Sequence, residues 1–153
     1  MKNWPSSEKS LNESLTSGRA GLAVEIEARV RYSETDKMGV AHNKSYFEWF
    51  ELGRTEFCRQ RGMPYQEIEA QGFYLMVVEA FCRYRRPLRY DQLFWIGTAI
   101  RQATPKKIIF DYEIRSGEER TLIASGYTVH IVTNGEGKTT FLPDPILRRI
   151  AVG

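Results

Sequence analysis

From Phe73 onward the chain consists of long strand-like segments joined by turns too short to hold a helix, and this limits the fold more than any other feature. The segments are residues 73–85, 92–103, 107–115 and 121–133. They are divided by turn chemistry at Pro87 to Asp91, Thr104-Pro105, Ser116-Gly117 and Asn134-Gly135. Parallel neighbours need a crossover of a dozen residues or more, so loops this short predict an antiparallel meander. Ile108, Phe110, Tyr112 and Ile114 alternate with Ile109, Asp111, Glu113 and Arg115, the signature of a half-buried strand. Val24, Ile26, Ala28 and Val30 alternate with charged residues in the same way and predict a first strand. Residues 138–142 are expected to add a short edge strand, and residues 143–150 a terminal turn of helix.

Between the first strand and the rest stands one strong helical signal, residues 43–61. Tyr46, Phe50, Gly53 and Phe57 recur at intervals of 4, 3 and 4, and Phe47 and Trp49 widen that stripe. Asn43 is the expected N-cap, and Gly62 followed by Pro64 ends the helix. A mid-helix glycine costs about 1 kcal/mol relative to alanine, so Gly53 implies that something packs closely against it. A shorter helix is expected over residues 64–71. A helix of ~28 Å and strands of ~33 Å match in length. The economical packing is an α+β domain in which a curved antiparallel sheet of five to six strands wraps a single long central helix.

Composition narrows the function. Of 153 residues, 22 are Lys or Arg and 19 are Asp or Glu, and the net charge of +3 is too small to mark a nucleic-acid binder. No stretch approaches the ~18 apolar residues of a membrane span, so no stable membrane insertion is expected. The first residues lack the apolar core of a signal peptide, which predicts a cytoplasmic protein. Residues 1–21, rich in Ser, Asn, Lys and Glu without a period, read as a flexible tail preceding one domain, residues 22–153. Cys58 and Cys82 have neither CxxC spacing nor a disulfide framework and read as reduced, half-buried side chains. No metal-ligand spacing and no cofactor motif is present, so neither is expected.

Chemistry concentrates in residues 33–56, SETDKMGVAHNKSYFEWFELGRTE. This segment delivers a carboxylate, Asp36, just before the N-terminus of the buried helix. Gly39 permits an unusual backbone turn, and His42 and Asn43 stand at the helix entrance. The unpaired N–H groups of a first helical turn can hold an oxyanion. A carboxylate beside such donors suits thioester hydrolysis: with a thiol pKa of about 8.5 the leaving group needs no strong acid. The work is then to polarise the carbonyl and to attack it or activate water.

Sixteen positions in order carry a resemblance: Tyr32, Glu34, Thr35, Asp36, Met38, Gly39, Val40, His42, Asn43, Tyr46, Trp49, Phe50, Glu51, Gly53, Arg54 and Glu56. They resemble the signature of the 4-hydroxybenzoyl-CoA thioesterase family of hot-dog proteins, in its YbgC-like acyl-CoA thioesterase branch. The likeness spans residues 27–150. It implies a hot-dog fold and an acyl-CoA thioesterase with Asp36 as nucleophile or general base. It also implies that the backbone N–H of Asn43 polarises the carbonyl and that Gly39 shapes the catalytic loop. Many members of that branch have His where Asn43 stands, so a side-chain role there is absent or altered while the backbone contribution is kept. The resemblance further implies a homodimer or homotetramer, with the site completed across the dimer.

Other residues divide between functional and structural readings. His42 either lines the site or caps the helix. Glu51 reads as a partner of Arg54 at i+3, His130 as a core-edge or interface residue, and Tyr46 as core that also borders an acyl tunnel. Arg83, Arg85, Arg86 and Arg89 form the densest basic patch. Arg presents a fork suited to the phosphates of coenzyme A, and strand parity puts Arg83 and Arg85 on one face with Arg86 elsewhere. Three rivals remain. A thioesterase acting on acyl carrier protein needs the same basic face. A hot-dog enoyl-CoA hydratase needs D-x-N-P-x-H, whereas His42 lies six positions after Asp36 and the Asn-Pro pair is missing. A non-enzymatic acyl-CoA binding module needs no Asp36.

Overall fold

The helical stripe is the buried one. In a computed structural model, which describes residues 23–152, helix α1 (Asn43–Gln60) buries Tyr46, Trp49, Phe50, Gly53 and Phe57, while Phe47 keeps 37% of its surface. The predicted tail, residues 1–21, lies outside the described residues. The helix packs on five antiparallel strands: β1 (Val24–Arg29), β2 (Tyr74–Tyr84), β3 (Leu93–Ala103), β4 (Lys107–Ser116) and β5 (Thr121–Thr133). Short helices α2 (Tyr65–Ala70) and α3 (Asp144–Val152) complete the chain. The ring of Phe50 stacks on Tyr112 of β4 at 4.3 Å, and Trp49 tilts against Phe94 of β3, also at 4.3 Å. Each fully buried ring of this kind contributes about 1.5–3 kcal/mol through apolar surface removed from water.

Gly53 does what its helix penalty implied. A Cβ built there would stand 2.9 Å from Ile96 Cγ2 and closer still to Thr98 Oγ1. Only a residue without a side chain lets α1 approach β3 so nearly.

The sheet order is β1-β3-β4-β5-β2, which corrects the simple meander. Strands β3, β4 and β5 do follow one another, but β2 pairs with β5, so residues 85–92 carry the chain across the sheet from one edge to a strand beside β1. Antiparallel geometry requires only that neighbours run oppositely, and both arrangements satisfy it. The expected edge strand at 138–142 is reduced to one bridge, Thr133 to Thr139. The cause is Asn134, whose Oδ1 accepts from the N–H groups of Glu136 and Lys138 and bends the chain locally. The terminal helical turn is a nine-residue helix, α3, with Ile146 and Ile150 buried. Cys58 is fully buried rather than half-buried.

The anticipated Glu51–Arg54 pairing is present as a charge interaction, though it is not the main contact of the guanidinium. Arg54 is turned inward towards the hydroxyls of Tyr112 and Tyr65. His130 is fully buried, not at an edge: its Nε2 lies 2.8 Å from Thr128 Oγ1, which in turn lies 2.5 Å from the Tyr112 hydroxyl. Among the described residues no helix is long and apolar enough to cross a membrane.

Candidate active site

The excursion carrying Asp36 is closed at its base by the bridge between Thr35 and Ala41. Within it, Asp36 N–H donates to Val40 O at 2.9 Å and Gly39 N–H donates to Asp36 O at 3.0 Å. Gly39 has φ +77, the left-handed region that favours glycine. The Met38 N–H donates to Asp36 Oδ1 at 2.8 Å. One carboxylate oxygen is therefore held by the turn, and Oδ2 has no partner among the described residues. Strand-like pairing of Val40 with Arg89 fastens the excursion to the crossing segment.

The helix entrance differs from expectation by one residue. The N-cap is His42, in extended backbone (φ -64, ψ 141), and its Nδ1 accepts from Lys44 N–H at 3.1 Å. Asn43 is the first helical residue. Imidazole takes the place that a short amide was expected to fill, because its ring nitrogen reaches a first-turn donor, the N–H of Lys44. His42 thus caps the helix and also borders the site. The Asn43 N–H makes no hydrogen bond among the described residues, as a first-turn donor can. The Asn43 carbonyl accepts from the Tyr84 hydroxyl at 3.0 Å, which ties the end of β2 to the helix entrance.

These pieces surround one cavity of about 360 Å³, lined by Asp36, Ala41, His42, Asn43, Tyr46, Tyr84, Arg85, Arg86 and Pro87. Tyr46 and Tyr84 meet edge to face at 4.9 Å on its wall. Burial pushes the Tyr46 hydroxyl up to about 12, with the neighbouring Cys82 thiol acting in the same sense, so Tyr46 stays neutral at physiological pH. Burial likewise pushes the Cys82 thiol up to about 12, which leaves it an inert packing group. Gly39 shapes the turn without lining the cavity.

The basic patch divides differently from its strand parity. Arg85 and Arg86 both border the cavity, because their N–H groups both donate to Ile123 O and the strand ends there in an irregular turn. Arg83 of β2, in register with Ser125, does not line the cavity. The structure thus gathers Asp36, His42, Asn43, Tyr46, Arg85 and Arg86, and leaves out Arg83. Sequence reasoning gave no role to Tyr84. Its distance from Asp36 along the chain hid it, and only a strand ending near the helix entrance could have signalled it. Among the described residues no group of three or more His, Cys, Asp or Glu side chains could hold a metal ion.

The arrangement offers a carboxylate oxygen with no partner, a free backbone donor at a helix N-terminus, an aromatic wall and two guanidinium groups at one cavity. A model of the thioesterase-like superfamily matches residues 30–150. A protein of Aquifex aeolicus (strain VF5), provisionally designated an esterase, is 31% identical over 119 residues, covering 78% of this chain and 91% of its own. YneP of Bacillus subtilis (strain 168), whose designation as an acyl-CoA thioesterase is also provisional, is 34% identical over 88 residues, covering 58% of this chain and 64% of its own. Among solved structures, a DHNA-CoA thioesterase from Staphylococcus aureus is 28% identical with a TM-score of 0.75, covering 78% of this chain and 80% of that one.

Proposed function

The chain belongs to the thioesterase-like superfamily, and from that premise we propose that it hydrolyses an acyl-CoA to a free carboxylic acid and coenzyme A. The observation that carries this reading is the meeting of Asp36 and the Asn43 N–H at one cavity rimmed by Arg85 and Arg86.

In this reading the thioester carbonyl oxygen accepts from the Asn43 N–H, where the aligned peptide dipoles of α1 favour developing negative charge. The Asp36 carboxylate either takes a proton from water, so that the hydroxide attacks the carbonyl carbon, or attacks that carbon itself. Collapse of the tetrahedral adduct breaks the C–S bond. On the base route the thiolate takes the proton that Asp36 received and the free acid leaves. On the nucleophilic route an Asp36–acyl anhydride remains, which water hydrolyses to the free acid and the Asp36 carboxylate. Arg85 and Arg86 take phosphate oxygens of the coenzyme, and Tyr46 and Tyr84 flank the acyl group. His42 supports the site by capping the Lys44 N–H, while the Asn43 N–H is left to the substrate.

The same reading includes a homodimer, which can pair further into a tetramer. It is supported by the outer edge of β2, where Met76, Val77 and Val78 are 51%, 47% and 59% exposed. An apolar unpaired edge of this kind invites a second strand. A monomer by sedimentation velocity at micromolar concentration would overturn this part.

The test is release of free thiol from a panel of acyl-CoAs by wild type and Asp36→Asn. Loss of about 10³-fold in kcat is expected for the variant, the scale of general-base and nucleophilic contributions. Retained turnover removes Asp36 from the reaction. Turnover of acyl carrier protein thioesters but not of acyl-CoAs moves the substrate to the carrier-bound class, and turnover of no thioester favours a binding module.

A further inference from the structure

The carboxylate of Glu34 lies two residues before Asp36 and is almost wholly buried, at 5% exposure. Its Oε1 accepts from Arg31 N–H at 2.7 Å and its Oε2 accepts from the Trp49 indole N–H at 2.7 Å. Its backbone carbonyl accepts from His42 N–H at 2.7 Å and from the Ser45 hydroxyl at 3.1 Å. All four donors belong to the two segments that flank the Asp36 excursion: Arg31 stands before it, and His42, Ser45 and Trp49 form the start of α1. The carbonyl bond to His42 closes residues 35–41 into a ring. The carboxylate bond to Trp49 reaches a second turn of the helix and fixes the ring's orientation about the helix axis. Trp49 is itself immobilised, at 3% exposure, between Tyr46 and Phe94.

Resting on the reading of Asp36 and Asn43 above, we infer that Glu34 is a positioning residue that holds the Asp36 carboxylate in register with the Asn43 N–H. It does not line the cavity, so it touches no substrate. Its effect passes through geometry alone, and misplacement of a reacting group by about 1 Å can cost up to about 10²-fold in rate. A carboxylate suits the position because both donors need an acceptor. A glutamine there presents its amide N–H₂ to one of them, leaving that buried donor unpaired.

The experiment pairs Glu34→Gln with Trp49→Phe, which removes only the indole donor. Each variant is expected to lower kcat by about tenfold or more with KM within about twofold, at a temperature well below its melting transition. The double variant should fall little further, since both changes break one link. In a ¹H–¹⁵N spectrum the Trp49 indole resonance, assigned by its absence in Trp49→Phe, should move upfield in Glu34→Gln. Wild-type kcat in a folded Glu34→Gln, or an unmoved indole resonance, overturns the inference. Should Glu34→Gln not fold, Trp49→Phe decides alone: the same drop in kcat supports it and wild-type kcat overturns it. Active Asp36→Asn would instead defeat the functional reading, whereas inactive Asp36→Asn beside fully active Glu34→Gln defeats only the role of Glu34.

Discussion

Replacing Gly53 by alanine sets two effects of opposite sign against each other at one atom. In an exposed helix the change would stabilise by about 1 kcal/mol. Here the added methyl would meet Ile96 Cγ2 at 2.9 Å and Thr98 Oγ1 more closely, and both residues are fully buried on β3. Neither neighbour is the tip of a long flexible chain, and overpacking a core costs about 1–3 kcal/mol. With two contacts at once the cost belongs near the top of that range, so Gly53→Ala should be destabilised by about 2 kcal/mol after the helical gain. For a domain of this size that lowers Tm by roughly 4–8 °C. Among the described residues the hydroxyl of Thr98 has no hydrogen-bond partner. Thr98→Ala therefore removes the nearer obstacle without orphaning a bond, and Gly53→Ala/Thr98→Ala should regain about half of the loss. Urea titration of the four proteins measures each value. A Gly53→Ala protein more stable than wild type would refute the close approach of α1 to the sheet.

Two further outcomes follow from the structure. Arg86→Ala and Arg85→Ala should each raise KM for an acyl-CoA about tenfold with kcat nearly unchanged, the worth of one charge-assisted bond, and wild-type KM should climb with ionic strength; salt-independent KM values would exclude phosphate contact. Burial first, and the nearby Arg54 charge second, hold His130 down at about 4 from the usual 6.5. With that sign, the unfolded chain binds the extra proton between these values. The stability supplied by neutral His130 is complete above pH 6.5 and is lost as pH falls towards 4. Melting profiles from pH 7 to 4.5 should show this slope, and His130→Gln should flatten it.

Much of this was legible because it rests on period. The stripe of Tyr46, Phe50, Gly53 and Phe57 fixes a helix and its buried face before any partner is known, and the alternation through Ile108 to Ile114 fixes a strand. Strand partners are another matter. Nothing in the residues of β2 says that it pairs with β5 across the sheet rather than with β3 beside it in sequence. Asp36 was legible through its motif, and Gly39 through the turn that glycine permits. The one-residue error at the cap arose because asparagine is the commoner cap, while the nitrogen that accepts here belongs to His42. Arg83 lies within the regular register of β2 and off the cavity wall, whereas the irregular turn at Arg85 and Arg86 brings both of those to it against the parity expected from the sequence. Glu34 stood in the motif without a task. The available hint was Trp49, a buried indole whose N–H requires an acceptor.

The end of β2 belongs to two structures at once. Among the described residues its outer rim is unpaired, yet its final tyrosine is latched to the carbonyl at the mouth of α1 and its trailing arginines flank the cavity. Whatever docks along that rim therefore tugs on the vestibule, and whatever fills the vestibule stiffens the rim. For the proposed dimer, this shared strand end predicts that specific activity changes as the protein is diluted to the point of dissociation.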